Sequence, residues 1–148
     1  RTCLVVNGSL HEVSLGQARH AVDQGWPATP PEGVAEAIRS SGWAILRAGE
    51  VVTGDGVERA RNLGGVVCEI LKSVPLDALV VFGGDTAAGI VHALGNPPIY
   101  PVREVVPGVA LSRLPAAGVE CLITKAGGFG AADILSRLRE LLTKECCE

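Results

Sequence analysis

Apolar positions along the chain follow two alternating rhythms. Short apolar runs at Leu4 to Val6, Trp43 to Arg47, Ala78 to Phe82 and Cys121 to Thr124 have the length and continuity of strands covered on both faces. Between them, apolar residues recur at three- and four-residue steps, the period of a helix with one buried face. The clearest such stretch predicts a helix over Val57 to Ser73. Val57, Ala60, Leu63, Val67, Ile70, Leu71 and Val74 share one side, and Glu58, Arg59, Arg61, Glu69 and Lys72 take the other. Gly64-Gly65 interrupts that pattern at about 1 kcal/mol per glycine against alanine, so close packing on a neighbour, or a kink, is expected there. Ser14 stands three residues before Gln17, a capping-box spacing that predicts a helix from Leu15 to Gln24. Pro27, Pro30 and Pro31 exclude a regular element between Trp26 and Glu32, and a short helix from Glu32 to Arg39 follows. A small-residue helix from Ala87 to Leu94 stops at Gly95-Asn96-Pro97-Pro98, the order expected of a C-terminus. Ile99 to Val102 and Val105 to Val106 are weaker strand segments. Pro107-Gly108 reads as a turn, or as a backbone contact to a ligand. Ile134, Leu135, Leu138, Leu141 and Leu142 define a closing amphipathic helix.

Strands alternating with helices predict an α/β fold: a mostly parallel sheet with helices on both faces, a Rossmann-like three-layer sandwich. With 148 residues, 47% of them apolar, the chain can bury the core of one domain, expected to span residues 1–148. Aromatic residues make up only 3% and glycines number 19, so that core must come from Val, Leu, Ile and Ala in closely packed elements. A net charge of −3 without a basic cluster gives no footprint for a nucleic-acid partner. No apolar run approaches the roughly 18 residues of a membrane span, and nothing reads as a signal peptide. A cytoplasmic location with no membrane partner is expected. Cys3, Cys68 and Cys121 sit in apolar runs and read as buried thiols, Cys146-Cys147 sits in a polar tail, and no CxxC spacing occurs. His11, His20 and His92 are too scattered for a metal set, so no protein metal site is expected. The chain opens RTCLVVN, without Met and with almost no lead-in, which reads as a piece of something longer.

The chemistry lies in three turns of one grammar: VVNGS, VVFGGDT and CLITKAGGFG, each a strand, a small or glycine-rich turn, and a helix. In a parallel open sheet such turns emerge together at the carboxyl edge, where ligands bind. Glycines there let ligand oxygens approach backbone N–H groups that are unsatisfied at a helix N-terminus and carry positive partial charge. Lys125, beside Gly127 and Gly128, adds a full charge to such a nest, a combination suited to the β and γ phosphates of a nucleotide. Taken singly, each turn can equally be a tight strand-to-helix connection; three on one rim, one with a lysine, point to phosphate. Neither standard fingerprint occurs: there is no GxxxxGK[ST], and GFGAAD from Gly128 has Asp133 where GxGxxG needs its third glycine. Asp85 offers a Mg²⁺ ligand, a partner for a ribose hydroxyl, or a cap on the following helix. Thr86 carries the same ambiguity. Ser9 offers a donor to phosphate or base, or turn chemistry. Asp133 favours the helix dipole but repels an anion, so it is expected to face away. No Ser-His-Asp or Cys-His arrangement is legible, and catalytic residues stay unassigned.

In order and spacing, VVNGSLHEVSLGQ, VVFGGDTAAGIVHALG, VVPGVA and LITKAGGFGAADIL resemble the C-terminal nucleotide-binding domain of the four-carbon acid sugar kinase family, from about Leu4 to Leu142. The resemblance implies ATP-dependent phosphorylation of a small sugar acid such as threonate, erythronate or an oxo-tetronate. ATP, with Mg²⁺, would sit on this domain, and the acid on an N-terminal domain absent from this sequence. By position, Ser9, Gly83, Gly84, Asp85, Thr86 and the Gly127-Gly128 turn would be the ATP contacts. The sequence departs from the family at three places. Leu10 and His11 follow Ser9 where serine-cysteine-serine is usual after Gly. Asp85 and Ala87 stand where Glu and Ser are common, and Ala126-Gly127-Gly128 where serine-glycine-asparagine is typical. The expected behaviour of this chain alone is weak ATP binding and no kinase activity, with homo-oligomerisation open. A non-catalytic nucleotide-binding regulatory module and an interaction or effector domain are the alternatives.

Overall fold

The computed structural model describes residues 1–47 and 55–145; the Cys146-Cys147 pair lies outside them. Strands β1 (Cys3–Asn7), β2 (Ala28–Thr29), β3 (Trp43–Leu46), β4 (Ala78–Phe82), β5 (Tyr100–Val106), β6 (Val109–Leu114) and β7 (Val119–Lys125) alternate with helices α1 (Glu12–Asp23), α2 (Val34–Ser41), α3 (Gly56–Ser73), α4 (Gly84–Ala93) and α5 (Ile134–Glu145). They form one sheet in the order β2-β3-β1-β4-β7-β6-β5. The first five of these run parallel, and β6 and β5 are antiparallel additions.

Side chains alternate across the strands, and each face carries its own core. Cys3, Val5, Val80, Phe82, Cys121 and Ile123 pack under α1 and α5, where Leu135, Leu138 and Leu142 cover them. Leu4, Val6, Leu79, Val81 and Leu122 point the other way, against Ile38 of α2, Leu63 and Val67 of α3, and Ile90 of α4. The result is the expected α/β three-layer sandwich. Cys3 and Cys121 are buried, and Cys68 is half-buried.

Register decides what happens at the carboxyl edge. Asn7 pairs with Phe82, and Phe82 pairs with Lys125, so β1, β4 and β7 end level in three neighbouring strands. Moreover, β3 lies on one side of β1 and β4 on the other, so chain order reverses direction between them. That is the topological switch point at which open α/β sheets hold ligands.

Several local expectations are corrected. Ser14 and Gln17 do not cap α1: His11 is the N-cap, its Nδ1 accepting from the Val13 N–H at 3.2 Å, and both supposed cap residues are buried within the helix. The proline-rich stretch does hold regular structure, the two-residue β2 and a 3-10 turn at Pro31–Gly33. Prolines are tolerated there because β2 is an edge whose carbonyls accept, Pro27 from the Ile45 N–H and Thr29 from the Arg47 N–H, each at 2.8 Å. Helix α3 runs unbroken through Gly64-Gly65, and of the two expectations there the close packing on a neighbour is the one found. A Cβ on Gly64 would collide with the Gly89 carbonyl of α4, and one on Gly89 with the Ala60 carbonyl, so these glycines let two helices touch backbone to backbone. Helix α4 begins at Gly84 rather than Ala87, which places Asp85 and Thr86 inside its first turn. The segments around Arg103-Glu104 form a single strand, β5, and β6 adds a hairpin partner that the sequence pattern had not revealed.

Candidate functional site

The turn after β1 is built by Asn7, whose Oδ1 accepts from the Ser9 N–H at 3.0 Å. Ser9 Oγ accepts in turn from the His11 N–H at 3.1 Å, which hands the chain to the cap of α1. Gly8 donates its N–H to the Phe82 carbonyl at 2.9 Å, and a Cβ there would collide with the Thr86 side chain. The first turn thus rests directly on the start of α4.

The turn after β4 is Gly83, held at φ 107°, ψ 125° with its N–H donated to the Lys125 carbonyl at 2.9 Å. Few residues but glycine adopt that backbone. Gly83 is the N-cap of α4 and has no side chain to offer, so the first-turn N–H groups of Gly84, Asp85 and Thr86 lack a side-chain cap. Asp85 therefore does not cap the helix. Its carboxylate is exposed at the rim, whereas Thr86 is buried beneath Gly8.

The turn after β7 differs from expectation in one respect. Lys125 does not project from the rim; it is 1% exposed, lying behind the turn that it ends. Its Nζ donates to Ser14 Oγ, the Ala126 carbonyl and the Gly127 carbonyl, each at 3.0 Å, and stands 4.4 Å from the centroid of the Phe82 ring. Burial pushes the ammonium down from 10.5 to about 8, which leaves it protonated at neutral pH. Ser14 Oγ donates to the Gly127 carbonyl at 2.8 Å. Gln17 Nε2 donates to the carbonyls of Phe129 at 3.1 Å and Ala131 at 3.0 Å. Gln17 Oε1, also buried, has no partner among the described residues.

These turns abut. A Cβ on Gly127 would lie 2.6 Å from Ser9 Oγ, and one on Gly128 3.2 Å from His11 Nε2. The β5–β6 turn joins them from the far side: Ala126 donates its N–H to the Gly108 carbonyl at 3.2 Å, and Phe129 covers Gly108, which has φ 78°. The structure brings Ser9, Gly83, Gly84, Asp85, Thr86, Gly127 and Gly128 to adjoining turns on one edge and sets Lys125 beneath them. Asp133 is turned to Arg137, 3.1 Å away. A cleft of about 130 Å³ at the rim is lined by Gly8, Leu10, Arg59, Asp85 and Thr86. A larger groove of about 490 Å³ lies between α2 and α3, walled by Val34, Val66 and Ile70 and away from the three turns.

Sequence reasoning missed Ser14 and Gln17, whose partners lie more than a hundred residues away; it read Pro107-Gly108 as a turn, which the structure bears out, but not that this turn meets Ala126 and Phe129 at the rim. The signal for α1 was present: two polar residues one helical turn apart on the side that also carries Ala21.

Comparison with known proteins agrees with the fold and points to a family. A family model described as the nucleotide-binding C-terminal domain matches residues 45–135. A D-threonate kinase of Bordetella bronchiseptica is 37% identical over 86 residues, which cover 56% of this chain and 21% of that enzyme. A crystallised Bordetella bronchiseptica protein, described as a domain of unknown function with bound citrate in a domain-swapped dimer, aligns with a TM-score of 0.75 at 29% identity, over 93% of this chain and 38% of that one. A Haemophilus influenzae protein aligns with a TM-score of 0.72 at 14% identity, over 95% of this chain and 40% of that one, and shows the fold alone. The chain thus spans well under half the length of these relatives. With the family model covering most of the sheet and all three turns but the first, this chain belongs to the four-carbon acid sugar kinase family, as its nucleotide-binding C-terminal domain.

Proposed function

We propose that this domain holds ATP for a kinase that phosphorylates a small four-carbon sugar acid such as threonate, erythronate or an oxo-tetronate. The observation that carries the reading is the level ending of β1, β4 and β7, with Asn7, Phe82 and Lys125 in one row. From that row, Ser9, the uncapped first turn of α4 at Gly84–Thr86, and the Gly127-Gly128 turn face a shared edge. Phosphate oxygens would accept from those N–H groups, favoured by the helix dipole of α4, and Ser9 would add a hydroxyl. Lys125 would contribute its charge through the turn rather than by touching phosphate.

Asp85, exposed on the first turn of α4, fits one position around a Mg²⁺ that is otherwise held by phosphate oxygens and water. The metal would neutralise phosphate charge. Among the described residues no three side chains of metal-binding type cluster, which suits a metal that arrives with its nucleotide.

In-line transfer also needs an acceptor hydroxyl and a base close to the γ-phosphate. Those would come from the N-terminal part of a two-domain enzyme, so this chain alone would bind ATP without turnover. Calorimetric titration of the 148-residue chain with Mg-ATP, followed by a phosphorylation assay of the two-domain enzyme on a panel of four-carbon acids, tests both halves. Millimolar or tighter binding with activity only in the two-domain enzyme is expected. Absence of ATP binding would overturn the first half, and robust turnover by the chain alone the second.

A further inference from the structure

We infer that Ser14, Gln17 and Lys125 form an internal clamp that orients the glycine turn after β7 from behind, making Ser14 and Gln17 positioning residues of the nucleotide site. The inference rests on the ATP-binding reading for its purpose but on hydrogen bonds for its geometry.

Every carbonyl that the clamp reaches belongs to the turn. Lys125 Nζ takes those of Ala126 and Gly127, Ser14 Oγ also takes that of Gly127, and Gln17 Nε2 takes those of Phe129 and Ala131. All peptide bonds here are trans. In a trans peptide the C=O of one residue and the N–H of the next point in opposite directions. Drawing the carbonyls of residues 126, 127, 129 and 131 toward α1 therefore turns the N–H groups of Gly127, Gly128, Gly130 and Ala132 away from it. Among the described residues no backbone carbonyl accepts from any of those four N–H groups. The clamp converts a flexible glycine run into a row of outward donors, a nest suited to an anion.

Two features argue against ordinary packing. Ser14 and Gln17 are 0% and 1% exposed on the buried side of α1, where apolar residues would be the stable choice. In addition, the two donations fix the Gln17 amide so that its Oε1 is left buried without a partner among the described residues, which opposes folding. A Cβ on Gly130, at φ 92°, would stand 3.0 Å from Gln17 Nε2, a tight contact, so the turn lies close against the Gln17 amide.

The test uses Ser14→Ala and Gln17→Met in the 148-residue chain, with two readouts beside the melting temperature. The first is ¹⁵N relaxation of Gly127, Gly128 and Gly130. Order parameters near about 0.85 in the parent, falling below about 0.6 in each variant while the sheet keeps its values, are expected; unchanged order at these glycines overturns the clamp. The second is affinity for Mg-ATP, expected to fall about tenfold in each variant. If the parent binds and the variants bind equally well, the positioning role is wrong even where relaxation changes. If the parent itself fails to bind, the ATP reading falls, and relaxation alone decides whether the clamp exists. Should either variant fail to fold, the other carries both readouts. Should both fail, Lys125→Arg replaces them, expected to disturb the same glycines; unchanged order there overturns the clamp.

Discussion

Gly83 and Gly84 are neighbours that the sequence cannot tell apart, yet the structure predicts opposite responses to alanine. At Gly83 a Cβ would meet only ordinary contacts, 3.6 Å from Gly8, Ser9 and Thr86 atoms, so space is not the obstacle. The backbone is: φ 107°, ψ 125° lies where side chains are rarely accommodated, at a cost of about 1–3 kcal/mol. For a chain of this size, 2 kcal/mol corresponds to a fall in melting temperature of about 4–8 °C. At Gly84 the geometry is helical, and a Cβ would have nothing within 4 Å. Alanine there gains up to about 0.5–1 kcal/mol by restricting the unfolded chain. The Cα–Cβ bond of a helical residue tilts toward the helix N-terminus, so the new methyl group would project past the first turn of α4 into the proposed phosphate position. Gly84→Ala should therefore be as stable as the parent or more so in urea melts, while ATP affinity falls about tenfold or more. Gly83→Ala should lose stability first. A Gly83→Ala protein as stable as Gly84→Ala would refute the backbone reasoning. A Gly84→Ala protein that binds ATP with full affinity would refute the proposed position of the phosphates.

Other perturbations separate scaffold from site. Gly64→Ala should destabilise by about 1–3 kcal/mol in chemical denaturation, because its Cβ meets the Gly89 backbone and the crossing of α3 and α4 must open; Gly65→Ala, with nothing within 4 Å, should be neutral or stabilising by up to about 1 kcal/mol. Lys125 in the folded protein gives up its proton near 8, against 10.5 when unfolded. Between those values the unfolded chain binds more protons, so the lysine's contribution to stability rises with pH through that window and is smallest below it. Comparing urea melts of the parent and Lys125→Met from pH 7 to 10.5 should show the parent gaining by up to about 3 kcal/mol relative to the variant; parallel stability profiles would contradict the burial of a charged ammonium.

Much of the fold was legible because strands covered on both faces leave unbroken apolar runs: β1, β3 and β4 lie within a residue of their expected limits. β6 was not legible. Its residues Val109, Leu111 and Leu114 are buried, but Ala110 is exposed and Ser112 and Arg113 interrupt the pattern, so neither a continuous run nor a clean alternation results. β5 is exposed along most of its length, as an edge strand can be, and carries little apolar signal. The rim was legible as three glycine turns because the parallel sheet forces them to one edge. The role of Lys125 was not: a lysine beside glycines has the same sequence whether its ammonium faces a ligand or the carbonyls behind the loop. Ser14 and Gln17 matched a local capping pattern while serving a turn more than a hundred residues away, a contact that only the packing of α1 beside β7 creates.

The central claim is that phosphate oxygens meet main-chain N–H groups at the level ends of β1, β4 and β7. Titrating the ¹⁵N-labelled chain with Mg-ATP and following its amide resonances tests this most directly. The predicted result is that Gly84, Asp85, Thr86, Gly127 and Gly128 shift first and furthest, with Ser9 beside them. Shifts confined instead to Val34, Val66 and Ile70, in the groove between α2 and α3, would contradict it.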